Sequence, residues 1–383
     1  MDGLEYRTMG VRWYGKGAYD RGIGTTETIK AKRLYRATAG DFVFNRIDTQ
    51  KGAFDVVPDG LDGALATNEF PLYTTDSGRL LAGFLLLYFR QESVLRAIAN
   101  SRAGSEGRAR WKEADFEAWR VPLPPIGEQH RIVHLMSTVD AQVQALRAEI
   151  GSARHLHNRL LAESFENTNG HESAIVNLCS HVVGGIWGSP EGESEVDVLA
   201  LGPRIYAPGT SDFVTDGSPV RSFTLKQINS RLVHENDIIL ERSGGSADQP
   251  VGRVVIAGSG LSPCIPTDFQ RLMRPDPARV EPRYLFWRLQ HDWNQGLTRN
   301  YSRRTTGITN LSVKDYIARV IQIPDRAEQV DLVQRADAVE TAVRAAEEEL
   351  THLRAFRSTL LTALLNQEIE IPESYDDLLG AVS

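Results

Sequence analysis

The chain repeats itself, and this feature constrains its fold more than any other. From Gly107 to Leu161, 14 of 55 residues are identical to the residue 200 positions later. Identities at this offset include the pairs Asp115/Asp315, Pro124/Pro324, Glu128/Glu328, Gln129/Gln329, Val139/Val339, Val143/Val343, Arg154/Arg354 and Leu160/Leu360. Self-similarity at a fixed period indicates duplication, so we interpret the 383 residues as two copies of one unit.

The repeat extends toward the N terminus with small changes of offset, which loops tolerate. At an offset of 196 the matches include Lys30/Lys226 and Arg46/Arg242, and at 192 they include Arg12/Arg204 and Tyr14/Tyr206. The second copy carries about 26 residues, 171–196, before its match to the first copy begins. We therefore expect the first globular domain to lack an opening segment that the second one has.

Each copy is predicted to be a mixed α+β globular domain followed by a long helix. Buried strands are predicted at Asp41–Asn45, Asp237–Glu241 and Val251–Ala257, and one helix per domain at residues 80–99 and 281–295. The predicted boundaries are 1–121 for the first domain, 122–168 for the first helix, 169–321 for the second domain, 322–370 for the second helix and 371–383 for an acidic tail.

Both long helices carry apolar residues at alternating steps of three and four, the pattern of a coiled coil. The seam of the first helix contains Ile132, Met136, Val139, Val143, Leu146, Ile150, Ala153, His157 and Leu160. The seam of the second contains Leu332, Ala336, Val339, Val343, Ala346, Leu350, Leu353, Arg357 and Leu360. We predict an antiparallel pair of about 40 residues per helix, roughly 60 Å long, that holds two similar domains apart. The alternative is that each helix packs only inside its own domain.

Composition and motifs exclude several classes of protein. No apolar run approaches the roughly 20 residues of a membrane-spanning helix, and the first ten residues lack the pattern of a secretory signal. Cys179 and Cys264 are the only cysteines, too few for a disulfide framework. We expect a cytoplasmic protein with no membrane partner.

Few residues point to chemistry in this chain itself. Gly10–Gly17 (GVRWYGKG) nearly fits a phosphate-binding loop, but it lacks the final hydroxyl residue and its interior is bulky. None of the seven lysines follows an acidic residue at the spacing common in nucleases, and no Asn/Asp-Pro-Pro-aromatic motif occurs. His130 and His134 lie one turn apart without a third ligand, so we expect a solvated helix face and no metal site. Ser243 has no base at a suitable spacing for a nucleophile.

Several motifs resemble those of type I restriction-modification specificity subunits (HsdS). The junction motif of that family is similar to Val121–Gln129 (VPLPPIGEQ) followed by Arg131–Val133, and a degraded copy is Ile321–Pro324 with Glu328 and Gln329. Its second conserved region resembles Arg357–Leu361, and its domain-core motif resembles Asp41–Arg46 and Asp237–Gly244. The resemblance covers nearly the whole chain, including the order of domains and the duplication.

The resemblance implies a DNA sequence-specificity subunit in which each globular half reads one part of a bipartite double-stranded target. The helices would set the length of the unread spacer and dock two methyltransferase subunits, and restriction/translocase subunits would complete the complex. Catalysis would lie on those partners, so no cofactor is expected here, whereas S-adenosylmethionine and ATP with Mg²⁺ are expected on the partner subunits. The alternatives are a coiled-coil protein scaffold that never contacts DNA and, less consistent with the missing motifs, a stand-alone enzyme.

The charge distribution is compatible with DNA recognition by specific contacts. The net charge of −7 divides into +2 for residues 1–121, −1 for 122–170, 0 for 171–321 and −8 for 322–383. The globular halves are therefore near neutral, and affinity would depend on individual contacts and on partner subunits rather than on a general positive field.

The candidate DNA contacts are chiefly arginines, which outnumber lysines 36 to 7 and suit phosphates and guanine edges. Residues shared by both copies cannot make the halves read different sequences, so the pairs Arg12/Arg204, Lys30/Lys226 and Arg46/Arg242 are predicted to position the backbone or to act as scaffold. Residues that differ should read bases: Lys32, Arg33 and Arg36 in the first half, and Arg221, Arg299, Arg303 and Arg304 in the second. Tyr14, Tyr206 and Ser243 complete the set, and Asn300–Thr306 is the most attractive segment because it is basic, hydroxyl-rich and aromatic.

Overall fold

The computed structural model describes residues 4–25, 28–29, 31, 33–101, 110–166, 168–206, 211–213, 215–245, 249–305 and 308–377, with Arg304 and Thr305 described as backbone only. Within it the chain forms two compact units. Unit 1 comprises residues 1–145 and 350–383, and unit 2 comprises residues 146–349. Each unit therefore contains one globular half together with a part of each long helix.

Unit 1 contains two small sheets. Its strands are β1 Glu5–Arg12, β2 Gly17–Thr25, β3 Tyr35–Arg36, β4 Phe42–Phe44, β5 Phe54–Val56, β6 Leu65–Ala66 and β7 Leu72–Tyr73. The first sheet has the order β2-β1-β6-β3, in which β1 is antiparallel to β2 and parallel to β6. The second has the order β5-β4-β7, with the fully buried β4 antiparallel to both neighbours. The predicted strand at Asp41–Asn45 is thereby confirmed.

Short helices follow the sheets of unit 1. They are α1 Ala82–Phe89, α2 Glu92–Ser101 and α3 Glu113–Glu117. The sequence predicted one helix over residues 80–99, whereas the structure has two. The interruption lies at Arg90 and Gln91, and the amide of Gln91 donates to the carbonyl of Tyr88 at the end of α1. The backbone N–H of Gln91 donates to the same carbonyl at 3.2 Å, which lies three residues back rather than four, so α1 ends in a tight turn.

Unit 2 repeats three strands of each sheet, and its second sheet has one strand more. Its strands are β8 His171–Ala174, β9 Cys179–Gly184, β10 Val196–Leu201, β11 Val220–Phe223, β12 Ile238–Glu241, β13 Ser243–Gly244, β14 Val254–Ile256, β15 Cys264–Pro266, β16 Gln270–Pro275, β17 Ser302–Thr305, β18 Ile308–Leu311 and β19 Val320–Ile323. The sheet β11-β10-β15 has the strand directions of β2-β1-β6, and β14-β12-β16-β9 has those of β5-β4-β7 with one strand added. The duplication inferred from sequence is therefore a duplication of sheet topology.

The opening segment of the second copy supplies the additional pairing. Strand β9 covers the free edge of β16, and β8 pairs with β19. In unit 1 the strand that corresponds to β16 is β7, which among the described strands pairs only with β4. The two copies thus differ where the sequence repeat predicted that they would.

The long helices are α4 Ile126–Glu166 and α8 Arg326–Leu365, and the helices of unit 2 before α8 are α5 Leu225–Arg231, α6 Pro282–Asn294 and α7 Val313–Ile317. In unit 1, Ile132 and Met136 of α4 share a core cluster with Leu361 and Leu365 of α8. In unit 2, the C-terminal end of α4 clusters with the N-terminal end of α8, through Leu161, Phe165, Leu332, Val333 and Ala336. Within each unit the two segments therefore run antiparallel.

The helix segments also pack on the globular half of their own unit. In unit 1 the cluster that contains Ile132 also contains Phe84 and Leu87 of α1. Between the two helix segments, Arg357 of α8 forms an ion pair with Asp140 of α4 (Nη2 to Oδ2, 2.8 Å). The predicted helix pairing is therefore confirmed, and each helix segment packs in addition on the globular half of its own unit. No helix in the described part of the chain combines the length and the apolar character needed to cross a membrane.

A buried glutamine joins each long helix to its globular half. The side-chain oxygen of Gln129 accepts from the N–H of Leu81 at 3.0 Å, and its amide donates to the carbonyl of Pro124 at 2.9 Å. Gln329 accepts from Glu281 and donates to Pro324, both at 2.8 Å. These partners are also 200 positions apart, so the Gln identity in the repeat marks a conserved internal contact of the duplicated fold.

Candidate nucleic-acid interface

The exposed hairpin of β1 and β2 carries the densest group of basic and aromatic side chains in unit 1. Six of them line a surface cavity of about 360 Å³: Arg12, Trp13, Tyr14, Lys16, Tyr19 and Arg21. The guanidinium of Arg12 lies 4.1 Å from the ring centroid of Tyr19. Cations beside exposed rings can contact phosphates and bases together, so this hairpin is the first candidate surface for nucleic acid.

Hydrogen bonds to the loop after β4 hold the turn of this hairpin in place. The indole N–H of Trp13 donates to the carbonyl of Ile47 at 2.9 Å, and the N–H of Tyr14 donates to the carbonyl of Lys51 at 2.6 Å. The side chain of Tyr14 is nevertheless 70% exposed. The loop after β4 therefore holds the backbone of the turn while the Tyr14 ring faces solvent.

Charge along the hairpin is partly compensated. Asp20 accepts from the N–H of Gly22 at 2.7 Å and from the guanidinium of Arg7 at 2.8 Å. Both bonds favour the carboxylate, and they lower the pKa of Asp20 below its ordinary value. Arg7 is thus paired within the hairpin, which leaves Arg12, Lys16 and Arg21 as the basic residues around the cavity.

The other sequence-predicted residues of unit 1 separate into surface and interior positions. Arg33 is exposed, and so is Arg36 in β3, a strand of the same sheet as the hairpin. Arg46 lies mostly inside, where its Nη1 pairs with Glu113 at 3.2 Å and donates to the carbonyl of Asn68 at 3.2 Å. Lys30 and Lys32 lie outside the described residues.

Unit 2 places two of the predicted residues in its interior. Tyr206 is only 5% exposed, beneath the guanidinium of Arg253 at 4.9 Å from its ring centroid, and burial raises the pKa of its hydroxyl well above the ordinary value. Ser243 is 6% exposed and its hydroxyl donates to Asn310 at 2.5 Å. These positions remove Tyr206 and Ser243 from the surface that could meet DNA, because neighbouring side chains cover them.

Arg242 occupies the position of Arg46 in the second copy. Its Nη1 donates to the carbonyl of Asp268 at 3.4 Å, as Arg46 donates to Asn68. The two acceptors are again 200 positions apart. Each arginine therefore contacts a backbone carbonyl of its own unit. Arg46 contacts the loop before β7, and Arg242 contacts the loop before β16.

The other predicted residues of unit 2 lie at or near its surface. Arg221 is half-buried, and its guanidinium lies 5.3 Å from the ring centroid of Trp187, which is 45% exposed, and donates to the carbonyl of Gly188 at 3.0 Å. Arg299 in the turn before β17 and Arg303 within β17 are both exposed. Arg204 and Lys226 are exposed separately, the latter on α5.

The sequence favoured Asn300–Thr306 most strongly for DNA contact, but parts of this segment do not lie in an exposed loop. Tyr301 is half-buried, and its ring lies 5.6 Å from that of Tyr316. Residues 302–305 form β17, which pairs with β18. The side chain of Arg304 and residue Thr306 lie outside what the structure describes.

Sequence reasoning missed Trp13, Lys16, Arg21 and Trp187. Trp13 and Lys16 lie in Gly10–Gly17 and Arg21 follows it, but only Arg12 and Tyr14 of this segment were predicted as DNA contacts because the repeat drew attention to them. In the structure that segment is the end of β1, a turn and the start of β2, without the following helix that a phosphate-binding loop requires. Trp187 lies in the opening segment, where the first copy offers no partner for comparison.

No group of three or more His, Cys, Asp or Glu residues suited to a metal occurs in the described part of the chain. His134, which was expected on a solvated face, is half-buried, and its Nδ1 lies 2.9 Å from the hydroxyl of Tyr375. The tail after α8 covers it through Tyr375 and the ion pair of Asp376 with Arg131 at 3.0 Å.

Residues 17–151 match the family model described as type I restriction modification DNA specificity domain. The chain is also 21% identical over 310 residues to the type I restriction enzyme EcoKI specificity subunit of Escherichia coli (strain K12). The chain is therefore similar to specificity subunits of type I restriction-modification systems, and residues 17–151 match the domain that defines them. The alignment covers 75% of this chain and 64% of the EcoKI subunit, so the chain spans less than two thirds of that relative.

Two solved structures share the fold of this chain. One was reported as "Structural basis underlying complex assembly and conformational transition of the type I R-M system"; its TM-score is 0.60 at 17% identity, with 95% of this chain and 92% of that chain covered. The other is the type-I restriction-modification system S subunit from M. genitalium, with a TM-score of 0.56 at 12% identity and coverage of 94% and 88%.

Proposed function

We propose that the chain is the DNA sequence-specificity subunit of a type I restriction-modification complex, in which each unit reads one part of a bipartite double-stranded target. The observation that carries the proposal is the contrast, within a duplicated fold, between shared internal junctions and largely unshared surfaces. Gln129 and Gln329 make the same internal bonds in both units. Most exposed arginines and aromatics differ from one unit to the other, as two different half-sites require, whereas the shared pair Arg12 and Arg204 would position the phosphate backbone.

The proposed reading surface of unit 1 is the β1–β2 hairpin with the neighbouring strand β3. It comprises the exposed residues Arg12, Trp13, Tyr14, Lys16, Arg21, Arg33 and Arg36. A two-stranded ribbon of this kind fits the major groove of B-DNA, where arginine recognises guanine edges. Lys30 and Lys32 remain proposals from the sequence alone.

The proposed reading surface of unit 2 is built from other elements. It comprises Trp187, Arg204, Arg221, Lys226, Arg299 and Arg303, with Arg304 proposed from the sequence. Trp187 and Arg221 form a stacked pair at one position, and Arg299 and Arg303 flank the start of β17. Substitution of these residues should affect only the half-site that unit 2 reads.

The partners and the chemistry are proposed from the family. The long helices would set the spacer between half-sites and dock two methyltransferase subunits, with restriction/translocase subunits in the complete complex. The chain itself would be non-catalytic and would hold no cofactor, so S-adenosylmethionine and ATP with Mg²⁺ would bind the partner subunits. The acidic 322–383 region, with a net charge of −8, suits protein contacts better than DNA contacts.

The test is co-expression with the methyltransferase subunits of the same host, followed by mapping of methylated positions in a genome that carries the pair. The expected result is one bipartite methylation motif. Replacement of residues 171–321 by the corresponding domain of another family member should then change one half of the motif and leave the other half and the spacer unchanged. A change in both halves would overturn the assignment of one half-site to each unit.

A control separates recognition from assembly. Arg335→Ala removes an exposed arginine of α8 whose partner is Asp331, and it should leave the motif unchanged. Arg221→Ala should relax the motif in one half only. If the chain co-purifies with the methyltransferase but every variant methylates without sequence preference, the chain is a scaffold and the proposal is wrong.

A further inference from the structure

Tyr14 has a backbone conformation that tyrosine rarely adopts. Its φ is 62°, and that of the next residue, Gly15, is 66°. Two consecutive positive φ values are typical of the type I′ turn, whose first central position favours Asn, Asp or Gly. For a bulky side chain this region is strained, because the Cβ crowds the following carbonyl. Such strain persists only where the surroundings impose it, and it concentrates at sites of ligand contact.

Hydrogen bonds to the neighbouring loop of residues 47–52 hold the turn in this conformation. The N–H groups of Tyr14 and Gly15 donate to the carbonyls of Lys51 and Gly52, at 2.6 and 3.1 Å. Trp13 is tied to Ile47 on the same loop. The turn is therefore held at three successive residues, through the side chain of Trp13 and the backbone of Tyr14 and Gly15.

The Tyr14 ring is little stabilised by packing, because most of it faces solvent. At 70%, Tyr14 has the highest exposed fraction of the large apolar side chains in the described part of the chain. A strained backbone that exposes an aromatic ring lowers the stability of the free protein on both counts. Arg12, Lys16 and Arg21 line the same cavity. A flat ring among cations suits a ligand that offers flat apolar faces beside anionic groups, which is the chemistry of stacked bases and phosphates.

We propose that Tyr14 is a stacking wedge, whose ring inserts against one base step of the half-site that unit 1 reads. This rests on the proposed function of the chain as a DNA specificity subunit. Apolar and aromatic side chains used in this way partly unstack a step and make its sequence-dependent deformability part of recognition. The wedge belongs to unit 1 alone, because its repeat counterpart Tyr206 is buried beneath Arg253.

The experiment compares three variants in the purified complex with methyltransferase. Tyr14→Asn removes the ring but keeps a residue that tolerates positive φ. Tyr14→Phe keeps the ring and removes the hydroxyl. Ile23→Ala is the matched control, since Ile23 is 68% exposed at the other end of the same hairpin. The probe is a duplex carrying the mapped methylation site, with 2-aminopurine placed in turn at each position of either half-site.

Tyr14→Asn should leave the melting temperature of the chain unchanged or raised, while DNA affinity falls on the order of tenfold. At one step of one half-site, the 2-aminopurine fluorescence change seen with wild type should persist with Tyr14→Phe and Ile23→Ala and vanish with Tyr14→Asn. Loss of the signal with Tyr14→Phe would assign the contact to the hydroxyl and overturn the wedge. Wild-type affinity and signal in Tyr14→Asn would overturn it as well.

The two proposals fail in different ways. If wild-type complex binds the mapped duplex and all three variants behave alike, the wedge is wrong and the specificity function stands. If the wild-type complex shows no preference for the mapped duplex over a scrambled one, the specificity function itself fails, and the wedge fails with it.

Discussion

The two units fill the same part of one duplicated fold in opposite ways. Unit 1 packs an aromatic cluster there, in which Trp111 contacts the rings of Phe44, Phe89 and Trp119 at centroid distances of 5.3 to 5.7 Å. Unit 2 has buried leucines where Phe44, Phe89 and Trp111 stand in unit 1, and it has Arg319 where Trp119 stands. The residues that differ are Tyr88, Glu92, Phe116 and Trp119 in unit 1 and Arg288, Asp292, Tyr316 and Arg319 in unit 2.

Asp292 is the centre of the ionic version. It is 2% exposed, pairs with Arg319 and with Arg288 (Nε to Oδ1, 3.3 Å), and accepts from the hydroxyl of Tyr316 at 3.3 Å. The strands that the two units share pair in the same way, although unit 2 adds β9. At these positions the same arrangement of strands therefore accommodates either aromatic rings or a compensated ion cluster. They differ in their sensitivity to single changes, since an ion loses its compensation when one partner is removed.

The largest expected effect follows from this sensitivity. Asp292→Asn keeps the size of the side chain but leaves Arg288 and Arg319 buried without a carboxylate. We expect unit 2 to lose about 4 kcal/mol of unfolding free energy. Hydrogen exchange followed by mass spectrometry checks this, because peptides from each unit report its stability separately.

The matched control lies at the same repeat position of unit 1. Glu92 pairs with Arg96 on the surface, with side-chain exposures of 79% and 72%. Glu92→Gln should change the stability of unit 1 by less than about 0.5 kcal/mol. Equal losses for the two variants would show that repeat position, rather than burial of the ions, sets the effect.

A smaller difference between the two units concerns how their stability depends on pH below neutrality. Burial and the nearby charge of Arg288 lower the pKa of His291 from 6.5 to about 4, whereas unit 1 has Gln91 at this position. Unfolded chains take up this proton below pH 6.5 and the folded unit does not until about pH 4, so stability falls as pH decreases through that interval. The loss specific to unit 2 should be about 3 kcal/mol at pH 4.

The variant His291→Gln copies unit 1 and should remove this pH dependence. Denaturant titrations at pH 7, 5 and 4 on wild type and variant isolate the histidine, because the other titrating groups are common to both. A wild-type slope that persists in the variant would assign the acid sensitivity to carboxylates elsewhere.

The shared glutamines should behave alike, in contrast to the positions above. Gln129→Leu and Gln329→Leu each leave a buried backbone N–H, of Leu81 or Glu281, without its acceptor. Each should cost its own unit about 2 kcal/mol. Gln142→Leu and Gln334→Leu, at exposed positions of the same helices, are the controls and should have little effect. If Gln129→Leu and Gln329→Leu lowered the unfolding free energy of their units by very different amounts, the two junctions would not be equivalent.

The smallest effect separates interior from surface arginines. Arg46→Met should lower the stability of unit 1 by about 1 kcal/mol, because it removes the bonds to Glu113 and Asn68. Arg36→Ala, at an exposed position, should leave stability unchanged and weaken binding of the mapped duplex. Thermal melts and DNA titrations on both variants provide the two readouts. The reverse pattern would place Arg46 on DNA and Arg36 in the scaffold.

Much of the architecture was predictable because it depends on local pattern. Heptad spacing predicted both long helices, which run over Ile126–Glu166 and Arg326–Leu365. Apolar runs predicted the strands at β4 and β12. The break between α1 and α2 was missed, because it depends on Gln91 bonding to a neighbouring carbonyl rather than on Gly or Pro.

The candidate site was predicted less well, because exposure is not a local property. Tyr14 and Tyr206 are the same residue at the same position of the repeat, yet one is 70% and the other 5% exposed. The strands that follow them are reached by a short turn at Trp13–Lys16 in unit 1 and by the much longer connection 202–219 in unit 2. Identity in the repeat could not show which of the two rings is covered.

Periodicity and motifs, which can be recognised residue by residue, were enough to establish that the chain is duplicated, that each copy is α+β with a long heptad helix, and which family it resembles. The folded structure was needed to establish which arginines and tyrosines face solvent, that the turn at Tyr14 is strained, and that ion pairs of Asp292 in unit 2 stand where unit 1 has part of an aromatic cluster. Those outcomes depend on side chains brought together from distant positions, and neither spacing nor composition encodes which neighbour covers which group.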